Sequence, residues 1–247
     1  LNIGPIAAYS IAIVLHASSA AAPLLMFRRE FTSIVARLPT ISRRLHAPRD
    51  ESDYILRSLT LITLVSAAVA IPLYFLAREA LTVISGNSAM LIVGIALAAT
   101  GAIQMLPSQV QGTTKKIEDL STLDLILVGL AQGLSILPGI SRSGLSVTAL
   151  LLRKLDKEAA LKLSFVVSVP LIAGAVILDL LEGGGSKMIQ FIGLTDAVIM
   201  MTLTFLASVL SMEVLIRVAR MVNFALFLMI FGCLTSVASL AKMLLGL

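Results

Sequence analysis

The chain has no tryptophan, one cysteine (Cys233) and two histidines (His16 and His46) in 247 residues. A single cysteine excludes a disulfide framework within the chain, and two histidines with one cysteine exclude a zinc site of the Cys/His type. Charge is scarce too. Charged residues make up 13% of the chain, against about 25% in ordinary soluble domains. Apolar residues fill the space: 58% of the chain is hydrophobic. That balance excludes a soluble globular domain and indicates an all-α polytopic membrane protein. The formal charge is +5. In such a chain Lys and Arg gather in cytoplasmic loops for reasons of orientation, so nucleic acid is not the expected partner.

A spanning helix needs about 20 mainly apolar residues. Six stretches qualify: Pro5–Phe27, Ile55–Ala77, Ser88–Leu106, Ala159–Leu181, Asp196–Ile216 and Val222–Leu245. A seventh apolar segment, Leu123–Leu152, is interrupted by Pro138-Gly139 and then Ser141-Arg142-Ser143-Gly144. Broken backbone and an Arg at mid-depth are tolerated only where protein or a water-filled cavity surrounds them.

Charge placement decides how this segment runs. Arg28, Arg29, Arg37, Arg43, Arg44, Arg49 and Arg57 flank one connection, and Lys115 and Lys116 lie in another. Arg153, Lys154, Lys157 and Lys162 follow the broken segment, and Arg217 and Arg220 mark the last tight connection. If Leu123–Leu152 enters and returns on one side, all four groups share that side. The other then holds only Arg78, Lys187 and Lys242. The positive-inside rule selects this arrangement, a re-entrant helical hairpin inserted from the cytoplasm, with the ends near Leu1 and Leu247 facing outward. Arg28–Asp53 reads as a cytoplasmic loop or short surface helix, and Glu182–Ser186 as an outward turn.

Three spans precede the hairpin and three follow it, so the two groups have opposite orientations, the pattern of an inverted repeat. The expected organisation is a single membrane domain. Residues 1–107 form the first repeat, and residues 123–247 form the second, led by the hairpin 123–152. Symmetry predicts a matching hairpin ahead of Leu1.

The turn of the hairpin carries the chemistry. Pro138 and Gly139 are expected to end its first half-helix. Ser141 or Ser143 can cap the second, whose N-terminus turns free N–H groups and a positive dipole end toward the turn. Arg142 adds a permanent charge with a planar fork suited to phosphate oxygens. Together these make an anion site at mid-membrane depth. Thr148 is placed near the same face as Gly144. The alternative is a structural kink with Arg142 paired to a buried carboxylate or to backbone carbonyls. Hydroxyls are weak nucleophiles without a partner base, and no carboxylate occurs between Asp124 and Asp156. His16, inside the first span, could act as a general acid, hydrogen-bond in a cavity, or bond another helix. Gln132 faces the pocket or bonds across helices.

The run Gln132 to Thr148, centred on Pro-Gly-Ile-Ser-Arg-Ser-Gly, resembles the second signature of the undecaprenyl-diphosphate phosphatase (bacitracin-resistance) family. The likeness continues through Glu158-Ala159-Ala160, Leu163–Pro170, Ser211–Arg217 and Phe224–Gly232, and reaches the first half through a span ending in Phe27-Arg28-Arg29. The resemblance implies six spans with two re-entrant hairpins. It implies removal of the terminal phosphate of a polyprenyl diphosphate at the outer face of the cell membrane, assisted by a divalent cation, Mg²⁺ or Ca²⁺. Arg142, Ser141, Ser143 and Thr148 would be the catalytic residues, and Gly139, Gly144, Gln132, Ser146 and His16 would line the substrate site. The family's first signature, a glutamate-rich hairpin followed by a Ser-Ser-x-Gly-His run, does not occur in this sequence; it would precede residue 1. Metal ligands are therefore not assigned. Membrane lipids and further copies of the chain are the other expected partners. A transporter or flippase of a lipid phosphate or other anion would use the same hairpin, and a non-catalytic membrane scaffold is the third reading.

Overall fold

Backbone polar groups inside a bilayer must be met within their own segment, which makes every long apolar run a helix. The computed structural model of the protein describes residues 5–106, 115–183, 189, 190, 192–218 and 224–245. Arg220, Lys187, the outward turn beyond Gly183 and both chain ends lie outside the described residues. The chain runs through α1 (Pro5–Met26), α2 (Arg28–Arg37), a 3-10 turn (Leu38–Thr40), α3 (Ile41–His46), α4 (Glu51–Val83) and α5 (Gly86–Ile103). A second 3-10 turn (Ile117–Asp119) leads to α6 (Thr122–Leu134), α7 (Arg142–Leu152), α8 (Lys157–Leu181), α9 (Leu194–Val218) and α10 (Phe224–Leu245). Helices α4, α5, α8, α9 and α10 are each long and apolar enough to cross a bilayer, and α1 with the bent segment after it makes six.

At Phe27 the chain turns by 88°, so α2 and α3 run across the end of the bundle. The segment expected as a loop or short surface helix is thus mostly helical. Ile34 packs into the core, and Asp53, fully buried, accepts from Arg37 at 2.9 Å and Arg44 at 2.7 Å. Asp50 caps α4 by accepting the Asp53 N–H, and that bond together with Arg37 holds its carboxyl below the usual carboxylate range. Helix α4 has 33 residues, about 50 Å. A bilayer core is about 30 Å thick, so Ile55–Ala77 marks only its apolar middle.

The main contacts pair α1 with α8 and α5 with α10, while α1 lies on α9 as α8 lies on α4. The hairpin sits on α4 through α6, and α7 reaches α5 and α8. Seating is close because α6 offers glycines. A Cβ at Gly129 would fall 2.7 Å from Val65 Cβ of α4, and one at Gly133 2.6 Å from Val69 Cβ.

The two ends of the hairpin are tied together. Lys115 N–H donates to the Lys154 carbonyl at 2.7 Å, and Asp156 N–H donates to the Lys115 carbonyl at 3.0 Å. Asp124, with a fully buried side chain, accepts from Lys115 Nζ at 3.1 Å, from Arg153 Nε and from the Ser121 N–H at 3.0 Å. The chain therefore enters and leaves the bundle at one end, as a re-entrant segment must. α6 stops at Leu134, four residues ahead of Pro138, the end expected from the sequence. The physical reason is local. A residue before proline is driven out of the α region. The chain accordingly tightens into three-residue turns, with Leu137 N–H bonded to the Leu134 carbonyl at 3.2 Å.

In a Cys233→Ser background, single cysteines at Lys116 and Lys157 should react with an impermeant thiol reagent from one face of a sealed membrane, and one at Glu182 from the other. Labelling of positions 116 and 157 from opposite faces would contradict the re-entrant hairpin.

Candidate functional site

Seven residues, 135–141, separate α6 from α7, and their path is set by one glycine. Gly139 adopts φ +88°, a left-handed conformation that side chains rarely adopt, and a Cβ there would lie 2.5 Å from the Val93 carbonyl oxygen of α5. Glycine thus lets the turn rest on α5. Ser141 then caps α7: its Oγ accepts the Gly144 N–H at 3.2 Å. The Leu145 N–H is taken by the Ser141 carbonyl at 2.9 Å. The N–H groups of Arg142 and Ser143 are the first two of the helix and have no acceptor within it. They and the positive end of the α7 dipole face the turn.

Beside that turn lies a cavity of about 660 Å³. Its polar wall is Ser135 to Ser143, including Gly139, Ser141, Arg142 and Ser143. Helix α1 contributes Ala8, Tyr9, Ala12, Ile13 and His16, α5 contributes Ala89, Met90 and Val93, and α8 contributes Leu171, Ile172 and Ala175. Leu81 and Gly86 place it toward the α4–α5 connection, the end of α4 opposite the Asp53 cluster.

Arg142 is the central group. One guanidinium nitrogen, Nη1, donates to the Ser168 carbonyl at 3.3 Å. Nε is buried without a hydrogen-bond partner, and no carboxylate pairs with the side chain among the described residues. The backbone-carbonyl contact expected of a structural kink is present, and a carboxylate counter-charge is absent among the described residues. The buried carboxylate of α8, Asp179, is engaged elsewhere, accepting from the Tyr74 hydroxyl at 3.3 Å, while Arg78 donates to the same hydroxyl at 2.9 Å. A buried guanidinium without a counter-charge is costly in a low-dielectric interior and favours an anion close by.

Of the residues singled out in the sequence, Gly139, Ser141, Arg142, Ser143 and His16 meet at the cavity. Four others do not. Gln132 is fully buried; its Nε2 donates to the Val167 carbonyl at 3.1 Å, and its Oε1 accepts from Ser146 Oγ at 3.3 Å. These two side chains bind α6, α7 and α8 together behind the turn. Thr148 is buried within the hairpin, and Gly144 is packed against the side chain of Gln104, the residue that follows α5. Gly144 and Thr148 do share a helix face, but it is turned into the packing. Tyr9 does not stand out in the sequence. It lines the cavity and its hydroxyl donates to the Ile136 carbonyl at 3.0 Å, fastening α1 to the turn. The available signal is its place two turns before His16, with Ala8 and Ala12 at four-residue spacing from that histidine.

The donor set does not fit a divalent cation. The ionisable side chains lining the cavity are Tyr9, His16 and Arg142, and no group of three His, Cys, Asp or Glu residues is gathered among the described residues. Hard cations want several carboxylate or carbonyl oxygens.

Fold and site together define a polytopic helical membrane protein with a re-entrant hairpin that aims an unpaired guanidinium and a helix N-terminus into an intramembrane cavity. The chain belongs to the bacitracin resistance protein BacA family, whose model matches residues 3–237. Relatives named undecaprenyl-diphosphatase include one from Methanothrix thermoacetophila, 37% identical over 235 residues, covering 95% of this chain and 83% of that protein. One from Haloarcula marismortui is 32% identical over 97% of this chain and 85% of its own length. Another, from Pyrobaculum aerophilum, is 31% identical over 99% and 87%.

Gly139→Ala should lower the thermal unfolding midpoint in detergent, by a cost of at least about 2 kcal/mol from the left-handed backbone and the clash with Val93. An unchanged midpoint would mean that the turn does not rest on α5 as described.

Proposed function

We propose that this chain is a membrane phosphatase that hydrolyses an undecaprenyl-type polyprenyl diphosphate to the monophosphate, recycling the lipid carrier. Membership of the family and the names of its relatives support the reaction class. The observation that carries the reading at the level of residues is the Arg142 guanidinium, its Nε buried and with no carboxylate partner among the described residues, set beside the first two N–H groups of α7.

Release of a terminal phosphate needs neutralised charge, a positioned nucleophile and management of a proton. Arg142 and the N–H groups of Arg142 and Ser143 meet the first need: they face the oxygens on which negative charge gathers. Ser141 and Ser143 supply hydroxyls to the same oxygens. The apolar wall, with Ile13, Leu81, Met90, Val93 and Leu171, suits the first isoprene units, while the rest of the lipid stays in the bilayer. The end of the bundle that holds Arg37, Arg43, Arg44, Lys115, Lys116 and Lys157 is the cytoplasmic one by the positive-inside rule. The cavity, toward the other end of α4, then opens to the outer face of the cell membrane.

The test is phosphate release from a polyprenyl diphosphate by the full protein in detergent. Arg142→Ala should lower kcat/KM by about 10²–10³-fold, the loss typical of one donor aimed at developing charge. Arg142→Lys keeps the charge without the planar fork and should fall between the two. Full activity in Arg142→Ala would remove this residue from the site. Translocation of a lipid phosphate across vesicles without hydrolysis would replace the phosphatase with a transporter.

A further inference from the structure

Helix α1 ends among lipid, and α2 begins beside it. With 22 residues, α1 is about 33 Å long, enough to cross a bilayer core of about 30 Å. Leu24 and Leu25 in its last turn are exposed on the outside of the bundle, where acyl chains cover them. Arg28 and Arg29 follow within one helical turn, at the depth of the headgroups. The 88° bend at Phe27 then carries α2 and α3 along the plane of the membrane instead of away from it. The chain ahead of α1 joins it at its far end, about 33 Å from Arg28.

Helix α2 has two faces. Ile34 is buried, and Phe27 and Phe31 pack with it on the core. Arg28, Arg29, Thr32, Val35 and Ala36 are exposed, and their three- and four-residue spacing puts them on one side of the helix. Val35 is 61% exposed, and Leu38 in the turn that follows is 48% exposed. Guanidinium groups beside bare aliphatic side chains suit a helix lying in a headgroup layer. The charges are sorted to match. Every acidic side chain between Arg28 and Asp53 holds a cation that ties the segment together or to the bundle. Glu30 and Glu51 accept from Lys162 at 3.0 and 3.2 Å, Asp50 accepts from Arg37 at 2.9 Å, and Asp53 binds Arg37 and Arg44. Arg28, Arg29, Arg43 and Arg49 are exposed and make no ion pair among the described residues. The foot of the hairpin differs: its exposed Lys116, Lys154 and Lys157 stand among the exposed acids Asp119, Asp156 and Glu158.

We infer that α2, α3 and the turn between them form a seat for anionic phospholipid in the leaflet on the cytoplasmic side. The four unpaired arginines take headgroup phosphates through their planar forks, while Val35 and Leu38 reach down toward the acyl chains. A zwitterionic headgroup carries its own cation beside the phosphate, so the net attraction favours lipids such as phosphatidylglycerol. The inward arginines, Arg37 and Arg44, hold the platform to the bundle through Asp50 and Asp53, and the outward ones hold lipid to the platform.

The experiment measures which lipid gathers around the full protein in phosphatidylcholine bilayers. Phosphatidylglycerol spin-labelled on its acyl chain is compared with phosphatidylcholine labelled alike, and the motionally restricted part of the electron spin resonance spectrum gives their relative association constant. Label sits in both leaflets, so the direction in which a variant inserts does not affect the result. Phosphatidylglycerol should associate about fivefold more strongly, the factor for one arginine near an anionic lipid. In the wild type, raising salt from 0.1 M to 1 M cuts the Debye length from about 10 Å to about 3 Å and should remove most of that preference. The double variants Arg28→Gln/Arg29→Gln and Arg43→Gln/Arg49→Gln should each lower it, and the corresponding Arg→Lys changes should keep most of it. Lys116→Gln/Lys154→Gln/Lys157→Gln should leave it nearly unchanged. Equal association of the two lipids with the wild type, or a preference indifferent to salt, would overturn the seat. So would a preference that survives both arginine double variants, or one that falls as far with the lysine variant, because the anionic lipid would then be held elsewhere.

Discussion

Asp124 holds the broken segment in place. Its carboxylate is fully buried at the foot of α6, and Lys115, Arg153 and the Ser121 N–H all point at it. One cation comes from the chain entering the hairpin and the other from the chain leaving it. A single carboxylate thereby closes a loop whose backbone would otherwise meet lipid with unsatisfied groups. The backbone bonds between Lys115 and the residues around Leu155 reinforce the same closure. With the base fixed there and α6 seated on α4 through Gly129 and Gly133, the turn has nowhere to lie except against α5, α8 and α1. Removing Asp124 would leave two cations facing one another at a closure that holds only with its counter-charge.

The closure matters for chemistry because it spares Arg142 from structural work. In a kink held together by its own ion pair, the arginine would be consumed by that pair. Here the ion pairs sit at the foot of the hairpin and around Asp53, and the tip keeps a guanidinium whose only protein acceptor among the described residues is a single carbonyl. A low-dielectric cavity strengthens every interaction that such a group makes. The same low dielectric makes it costly until an anion arrives. A phosphoanhydride head on a lipid is a ligand whose charge meets that demand and whose tail can stay in the membrane.

Hydropathy and charge made the spans and the re-entrant hairpin legible, because both follow from the solvent rather than from packing. Leu123–Leu152 fell within a residue of the helices that bound it, Thr122 and Leu152. Direction within the hairpin was less legible. Gln132, Ser146 and Thr148 carry polar groups in the right stretch, yet they face one another and α8, because three half-buried helices need polar bonds among themselves. No periodicity distinguishes a hydroxyl that braces a hairpin from one that meets a ligand. Ser141 and Ser143 could be assigned because a helix start has a fixed geometry. Tyr9 was hidden for the opposite reason: its role depends on α1 crossing the turn at one height, which only the packing of α1 on α8 and α9 sets. The surface helices after Phe27 were half-visible. The arginines announced a cytoplasmic segment, but its helical form depends on Asp53 gathering Arg37 and Arg44.

The place where an anion binds decides whether the tip of the hairpin is the site. A structure of the full protein with a non-hydrolysable methylene diphosphonate lipid measures this directly. The terminal phosphonate should lie within hydrogen-bond distance of Arg142 Nε and of the Arg142 and Ser143 N–H groups. A headgroup bound outside the cavity, or an Arg142 that keeps its nitrogens for the protein while the ligand is bound, would contradict it.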